Sequence, residues 1–141
     1  MADPRMRLEE RIAASPFHRR LGFTAEETRP GFARVRLRYD DANTTARSAL
    51  HGGAIAATAD LAALLAACSF DDPSLERVAA RTLSCDVSYV AGAIGEDIFG
   101  EAEVLRRGKE VVYATVRVVN GAGKLLATAN HVAQLRTRTE P

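Results

Sequence analysis

Between Gly31 and Tyr39 apolar and charged residues alternate without a break, with Ala33, Val35, Leu37 and Tyr39 on one side and Arg34, Arg36 and Arg38 on the other. A period of two marks a strand with one buried and one wet face. The arginine face reads as solvated or as a contact between copies. Pro30-Gly31 forms a turn before it, and residues 21–28 are the expected hairpin partner. A polar loop over 40–48 follows, and then the period changes. Gly52 to Ala67 is an alanine-rich run of helical composition, with Pro73 stopping any continuation. Beyond it, residues 81–90 alternate Leu83, Cys85, Val87 and Tyr89 against Ser84, Asp86 and Ser88. Residues 97–105 and 111–120 are rich in β-formers. Residues 106–110 and 120–124 sit where tight turns belong, and 125–135 closes the series. At the start, Met6, Leu8 and Ile12 among charges predict a short amphipathic surface helix over 4–15.

Together these segments predict one α+β domain over 1–141. It holds a helical segment in 1–16, two strands, one long helix and about four antiparallel strands in a meander, with a tail at 136–141 expected to fray. The sheet, of about five to six strands, is expected to curve around the long helix. A chain of 141 residues buries a core without disulfides or a structural metal. Its 19 basic and 18 acidic residues give no electrostatic reason for a nucleic-acid or membrane partner. Cys68 and Cys85 form neither a CxxC pair nor a Cys/His cluster at metal-ligand spacing; they read as free thiols in a reducing compartment. The N-terminus lacks the apolar region of a secretory signal, and 52–67 is too short and too weakly apolar for a membrane span. A cytoplasmic location is expected.

Asp60 stands alone in the alanine-rich run. On a helical wheel Gly53, Ala56, Ala57, Ala63, Leu64 and Ala67 share its side, while Ile55, Leu61 and Leu65 cluster opposite. The large residues suit the sheet, and the small face suits the close approach of another backbone. Packing that face would desolvate the carboxylate and raise its pKa, making it a candidate base or nucleophile. The run opens with His51-Gly52-Gly53, where a helix start offers unpaired N–H groups and the positive end of a dipole to an oxyanion. Gly52 and Asp60 lie ~12 Å apart along one helix, too far to act on one carbonyl. A second copy packed antiparallel about a two-fold axis would bring Asp60 of one chain to Gly52 of the other, giving two composite sites per dimer.

His-Gly-Gly with an acid nine positions after the His resembles the hotdog-fold acyl-CoA thioesterases of the PaaI type, relatives of the phenylacetate-degradation and 4-hydroxybenzoyl-CoA thioesterases. Residues 16–23, 88–98 and 103–129 add to the resemblance. It implies a hotdog fold, a sheet wrapped around a central helix, and hydrolysis of acyl-CoA without metal or cofactor by a homodimer or homotetramer. By the same resemblance Asp60 attacks the thioester or activates water, and the Gly52 N–H polarises the carbonyl. His51 orients the loop or the thioester oxygen, and Thr82 holds the water. Gly53, Thr45 and Ser48 fall on the substrate side, and Arg106, Arg107 and Lys109 offer cations to the phosphates of coenzyme A. The chain departs from the family pattern at Thr45, where Asn is usual, at Ser48, where Gly is usual, and at Tyr89-Val90-Ala91-Gly92, which lacks the usual proline. Asn43 is two residues from the usual Asn position. A silent acyl-CoA-binding module and a hotdog hydratase or dehydratase are the alternatives.

Overall fold

The structure is a computed structural model and describes residues 4–70 and 78–137. Its N-terminal helical region is two helices rather than the one expected. Pro16, which ends α1 (Pro4–Ala14), also starts α2 (Pro16–Leu21). A missing N–H costs nothing at a first helical position, and Ser15 caps the new helix by accepting from the His18 N–H. Leu8 and Ile12 turn one face of α1 inward and are buried.

Next come β1 (Phe23–Arg29) and β2 (Phe32–Leu37), paired antiparallel across the Pro30-Gly31 turn. The long helix α3 (Gly52–Ala67) keeps the bounds its composition gives it. It is followed by β3 (Val78–Tyr89), β4 (Ile98–Arg107), β5 (Val111–Asn120) and β6 (Leu125–Thr137). The six-stranded antiparallel sheet runs β1-β2-β4-β5-β6-β3, and with α3 on one face it is the hotdog arrangement. Two expectations need correction. Only β4, β5 and β6 form a meander, because β3 pairs with β6 at the far edge. Arg136 and Thr137, expected to fray, are held in β6 opposite Ala79 and Val78; the rest of that tail lies outside the described residues.

Ala33, Val35 and Leu37 of β2, Ile98 and Ala102 of β4, and Val116 and Val118 of β5 are all fully buried, and they form the floor on which α3 lies. Gly100 sets the depth of the contact. A Cβ there would stand 2.9 Å from the Thr58 carbonyl oxygen and 3.1 Å from the Ala62 Cβ, so only glycine lets the helix settle this close. Ile55, Leu61 and Leu65 are buried as the wheel predicts, whereas Ala56, Ala57, Asp60 and Leu64 are half-covered. Ala63 and Ala67, assigned to the Asp60 side, are covered as well. On the outer face, Arg34 pairs with Glu101 at 3.1 Å and Arg36 with Asp97 at 2.5 Å. Arg34 and Arg36 thus clamp β2 to β4 and its lead-in rather than standing free in water, whereas Arg38 is exposed as expected. The other edge, β3, exposes Leu83 and Tyr89.

Candidate active site

Three residues from three elements meet at the middle of α3. Asp60 Oδ1 receives the Thr82 hydroxyl of β3 and lies 2.7 Å from Nε2 of His131 on β6. Thr82 Oγ1 and His131 Nε2 are themselves 3.2 Å apart. Both contacts fall on Oδ1, so among the described residues Oδ2 is left for a water or a substrate atom. His131 is 2% exposed, and its Nδ1 is buried without a partner. A bare lone pair costs less in such a place than an unmade N–H bond, which favours the tautomer with the hydrogen on Nε2, donating to Asp60.

A fault in the ladder puts Thr82 there. Strict alternation would put Leu83 on the helix side together with Cys85, Val87 and Tyr89, and Thr82 outside. The register instead shifts between Thr82 and Ser84, so Thr82 stands opposite Ala133 and Cys85 opposite His131, both on the inner face. Leu83 is the extra residue of a β-bulge, and half of its surface is exposed.

Burial raises the pKa of Asp60, but the bonds from His131 and Thr82, with the electrostatic pull of the His131 and His18 rings, more than offset it. The net shift is downward. The expectation of a raised pKa therefore fails, because desolvation is outweighed by donors aimed at the charged form. Burial lowers the pKa of His18, on α2, and Asp60 raises it in part, so α2 brings a second imidazole into the field of the carboxylate. Cys85 is pushed up by burial and by Asp60 and Asp86, which keeps its thiol protonated. Ligand atoms of Asp60, Cys85 and His131 lie within 4.8 Å of one another. A cation on Nε2 would drive the imidazole hydrogen to the buried Nδ1, where no acceptor waits, so the set suits a proton network better than a metal.

At its N-terminus α3 is capped by His51, whose Nδ1 accepts from the Gly53 N–H at 2.8 Å. A Cβ on Gly53 would come within 2.9 Å of that nitrogen, so the second glycine makes room for the cap. Gly52 is held from the other side by Tyr89, whose hydroxyl donates to the Gly52 carbonyl at 2.9 Å. The Gly52 N–H, at the first position of α3, donates to no described residue. Asp60 and Gly52 do not meet within the chain. Thr45 and Ser48 lie exposed in a small loop closed by Thr45 N–H to Ala49 O at 2.7 Å. Ser48 holds a left-handed φ of 62°, a conformation that favours the glycine it replaces. Asn43, rather than Thr45, lies beside the His-Gly-Gly turn. It receives the His51 N–H on its carbonyl at 2.8 Å and lines a hollow of about 280 Å³ with Phe17, Leu21, His51 and Gly53. Arg106 and Lys109 line a shallow depression at the β4–β5 hairpin, while Arg107 stacks over Phe70 at 4.7 Å. None of the three joins the Asp60 cluster.

A family model described as the thioesterase superfamily matches residues 48–127, from just before His-Gly-Gly to the strand that carries His131. The chain belongs to the thioesterase superfamily. As a member it is a thioester hydrolase. Acyl-coenzyme A thioesterase 13 of Homo sapiens is 32% identical over 127 residues, spanning 86% of this chain and 86% of that protein. Among solved structures, a thioesterase family protein of Silicibacter pomeroyi has a TM-score of 0.86 at 24% identity, covering 96% of this chain and 100% of that one. The PaaI protein of the E. coli phenylacetic acid degradation operon has a TM-score of 0.79 at 19% identity, covering 97% and 99%. These two show the same fold in another thioesterase family protein and in PaaI. His131 is the residue that reading the sequence for a site missed. One signal was present: it occupies a place in the inward parity of β6, where Ala127, Ala129, Ala133 and Leu135 are all buried. No helix among the described residues is long and apolar enough to cross a membrane.

Proposed function

We propose that the protein hydrolyses acyl-CoA thioesters at two composite sites formed between antiparallel copies, with Asp60 of one chain facing the Gly52 N–H of the other. The observation that carries this reading is the setting of Asp60: a carboxylate with one oxygen held by Thr82 and His131 and the other open, its pKa on balance drawn down by those bonds. Such a group serves as nucleophile on the thioester carbon or as base toward water. The Gly52 N–H, at the positive end of α3, then meets the oxyanion as it forms, and His51 holds the turn that presents it. Thr82 and His131 hold Oδ1 and so aim the open Oδ2 at the thioester carbon or at the water. The half-covered small face of α3 and the unpaired edge of β3, with Leu83 and Tyr89 exposed, support the pairing of two copies. The likeness to acyl-coenzyme A thioesterase 13 supports coenzyme A as the thiol. Two free cysteines accord with work in the cytoplasm.

The test is the release of free thiol from a panel of acyl-CoA esters. Asp60→Asn is expected to lower kcat at least a hundredfold, within the range that acid–base catalysis supplies; a variant as fast as the wild type refutes the role of Asp60. Mixed dimers of an Asp60→Ala chain and a chain impaired at Gly52 should recover activity, because one site then has both halves. Absence of recovery, with mixed dimers shown to form, refutes the composite site.

A further inference from the structure

The Gly52 N–H is only as well aimed as the two peptide planes that flank Gly52. In the plane between His51 and Gly52 the carbonyl accepts from the N–H groups of Ala54 at 2.8 Å and Ile55 at 3.2 Å. In the plane between Gly52 and Gly53 the N–H donates to His51 Nδ1 at 2.8 Å, and the carbonyl accepts from the Tyr89 hydroxyl at 2.9 Å. Of these bonds, all but the last are local, made by the helix and its own cap. The bond from Tyr89 ties the turn to another element, since Tyr89 ends β3. Its ring also lies alongside Gly52, where a Cβ would meet it at 3.4 Å. Such a tie matters at this point of the chain, because paired glycines are the most permissive backbone and helix ends fray.

The same strand reaches both halves of the machinery. Thr82 and Tyr89 are one odd-numbered and one even-numbered position, so strict alternation would put them on opposite faces; the bulge at Leu83 brings both to the side of α3. Thr82 then meets Asp60 and Tyr89 meets Gly52. We propose that Tyr89 is a positioning residue for the hydrolysis: its hydroxyl holds the Gly52–Gly53 peptide so that the Gly52 N–H keeps its aim on the thioester oxygen as charge develops there. The inference rests on the oxyanion role given to Gly52 above, and in it Tyr89 acts through Gly52 rather than on the thioester. A donor that loses its aim costs most in the transition state, where the oxygen is charged, and little in the ground state. The loss therefore falls on kcat rather than on KM.

Tyr89→Phe keeps the ring and removes the hydroxyl. With the fastest ester of the acyl-CoA panel, kcat is expected to fall about tenfold with KM within about twofold; tenfold is 1.36 kcal/mol, the scale of one hydrogen bond. Gly52→Pro supplies the reference. His51 has φ −63° and ψ 137°, the extended backbone that a following proline requires, and proline suits a first helical position, so this variant removes the donor and keeps the helix start. It should lower kcat at least a hundredfold. In that background Tyr89→Phe has no N–H left to aim, and the residual kcat should change less than about twofold. An equal loss in both backgrounds, which a structural role exerted elsewhere would give, overturns the proposal, as does a wild-type kcat in Tyr89→Phe. Gly52→Pro as fast as the wild type refutes the oxyanion role of Gly52, and Tyr89 falls with it, while the role of Asp60 stands. Where Gly52→Pro does not fold, ¹⁵N relaxation decides: the amide order parameters of Gly52 and Gly53 are expected to fall in Tyr89→Phe from about 0.85 toward about 0.6, and unchanged values overturn the proposal.

Discussion

Thr82→Val keeps the shape of the side chain and removes one donor from Asp60. A hydrogen bond to a charged group is worth about 1.5–3 kcal/mol net. The Asp60 side chain is 32% exposed, so water replaces part of what is lost and the lower end applies, about 1.5 kcal/mol. At 1.36 kcal/mol per unit, the Asp60 pKa should rise by about one unit. The sign follows from the depressed pKa of the folded state. A carboxylate of this kind adds stability above its unfolded pKa of about 3.9 and loses it as the pH falls through the folded value. The cost of the substitution should therefore be full at neutral pH and shrink toward zero in acid. Urea unfolding of both proteins from neutral pH to about pH 3 measures this directly. The acid limb of log kcat/KM should move up by the same unit, because hydrolysis requires the ionised carboxylate. A stability difference independent of pH, together with an unmoved acid limb, would refute the claim that the Thr82 hydroxyl holds down the pKa of Asp60.

Gly100→Ala should lower stability by about 1–3 kcal/mol, the usual cost of forcing an extra carbon into a packed core, and thermal unfolding with no drop in Tm would show that α3 can lift from the sheet freely. Ser48→Gly relieves a left-handed φ worth about 1 kcal/mol and adds about 0.5 kcal/mol of unfolded-state entropy. It should therefore stabilise the chain by about 0.5 kcal/mol in urea unfolding, and a loss of stability would contradict the strain argument.

The parts of the fold and site that were legible in the sequence are those set by local pattern. The bounds of α3 follow from composition and flanking breakers, and the alternation of β2 survives because one face of it is buried throughout. Asp60 and Gly52 stand out because a charge and a paired glycine are conspicuous against alanine. What was illegible depends on pairing over long range. His131 reaches Asp60 only because β6 lies between β5 and β3, and the exchange of neighbours that takes β3 away from β4 leaves no mark on either strand. The second N-terminal helix was hidden because Ser15-Pro16 reads equally well as an end and as a beginning. The direction of the Asp60 shift was lost with His131, since burial is readable from a wheel and a distant donor is not.

The β-bulge in β3 has one more consequence. Taking a residue out of a strand ordinarily turns everything beyond it over to the wrong face. Here Leu83 is already outside the ladder, with Thr82 opposite Ala133 and Ser84 opposite Val132 on either side of it. Its deletion would leave each of those partnerships as it is and merely straighten the strand. The position that delivers the hydroxyl to the carboxylate is thus also the one place in β3 where the chain can be shortened by a residue while its frame is kept.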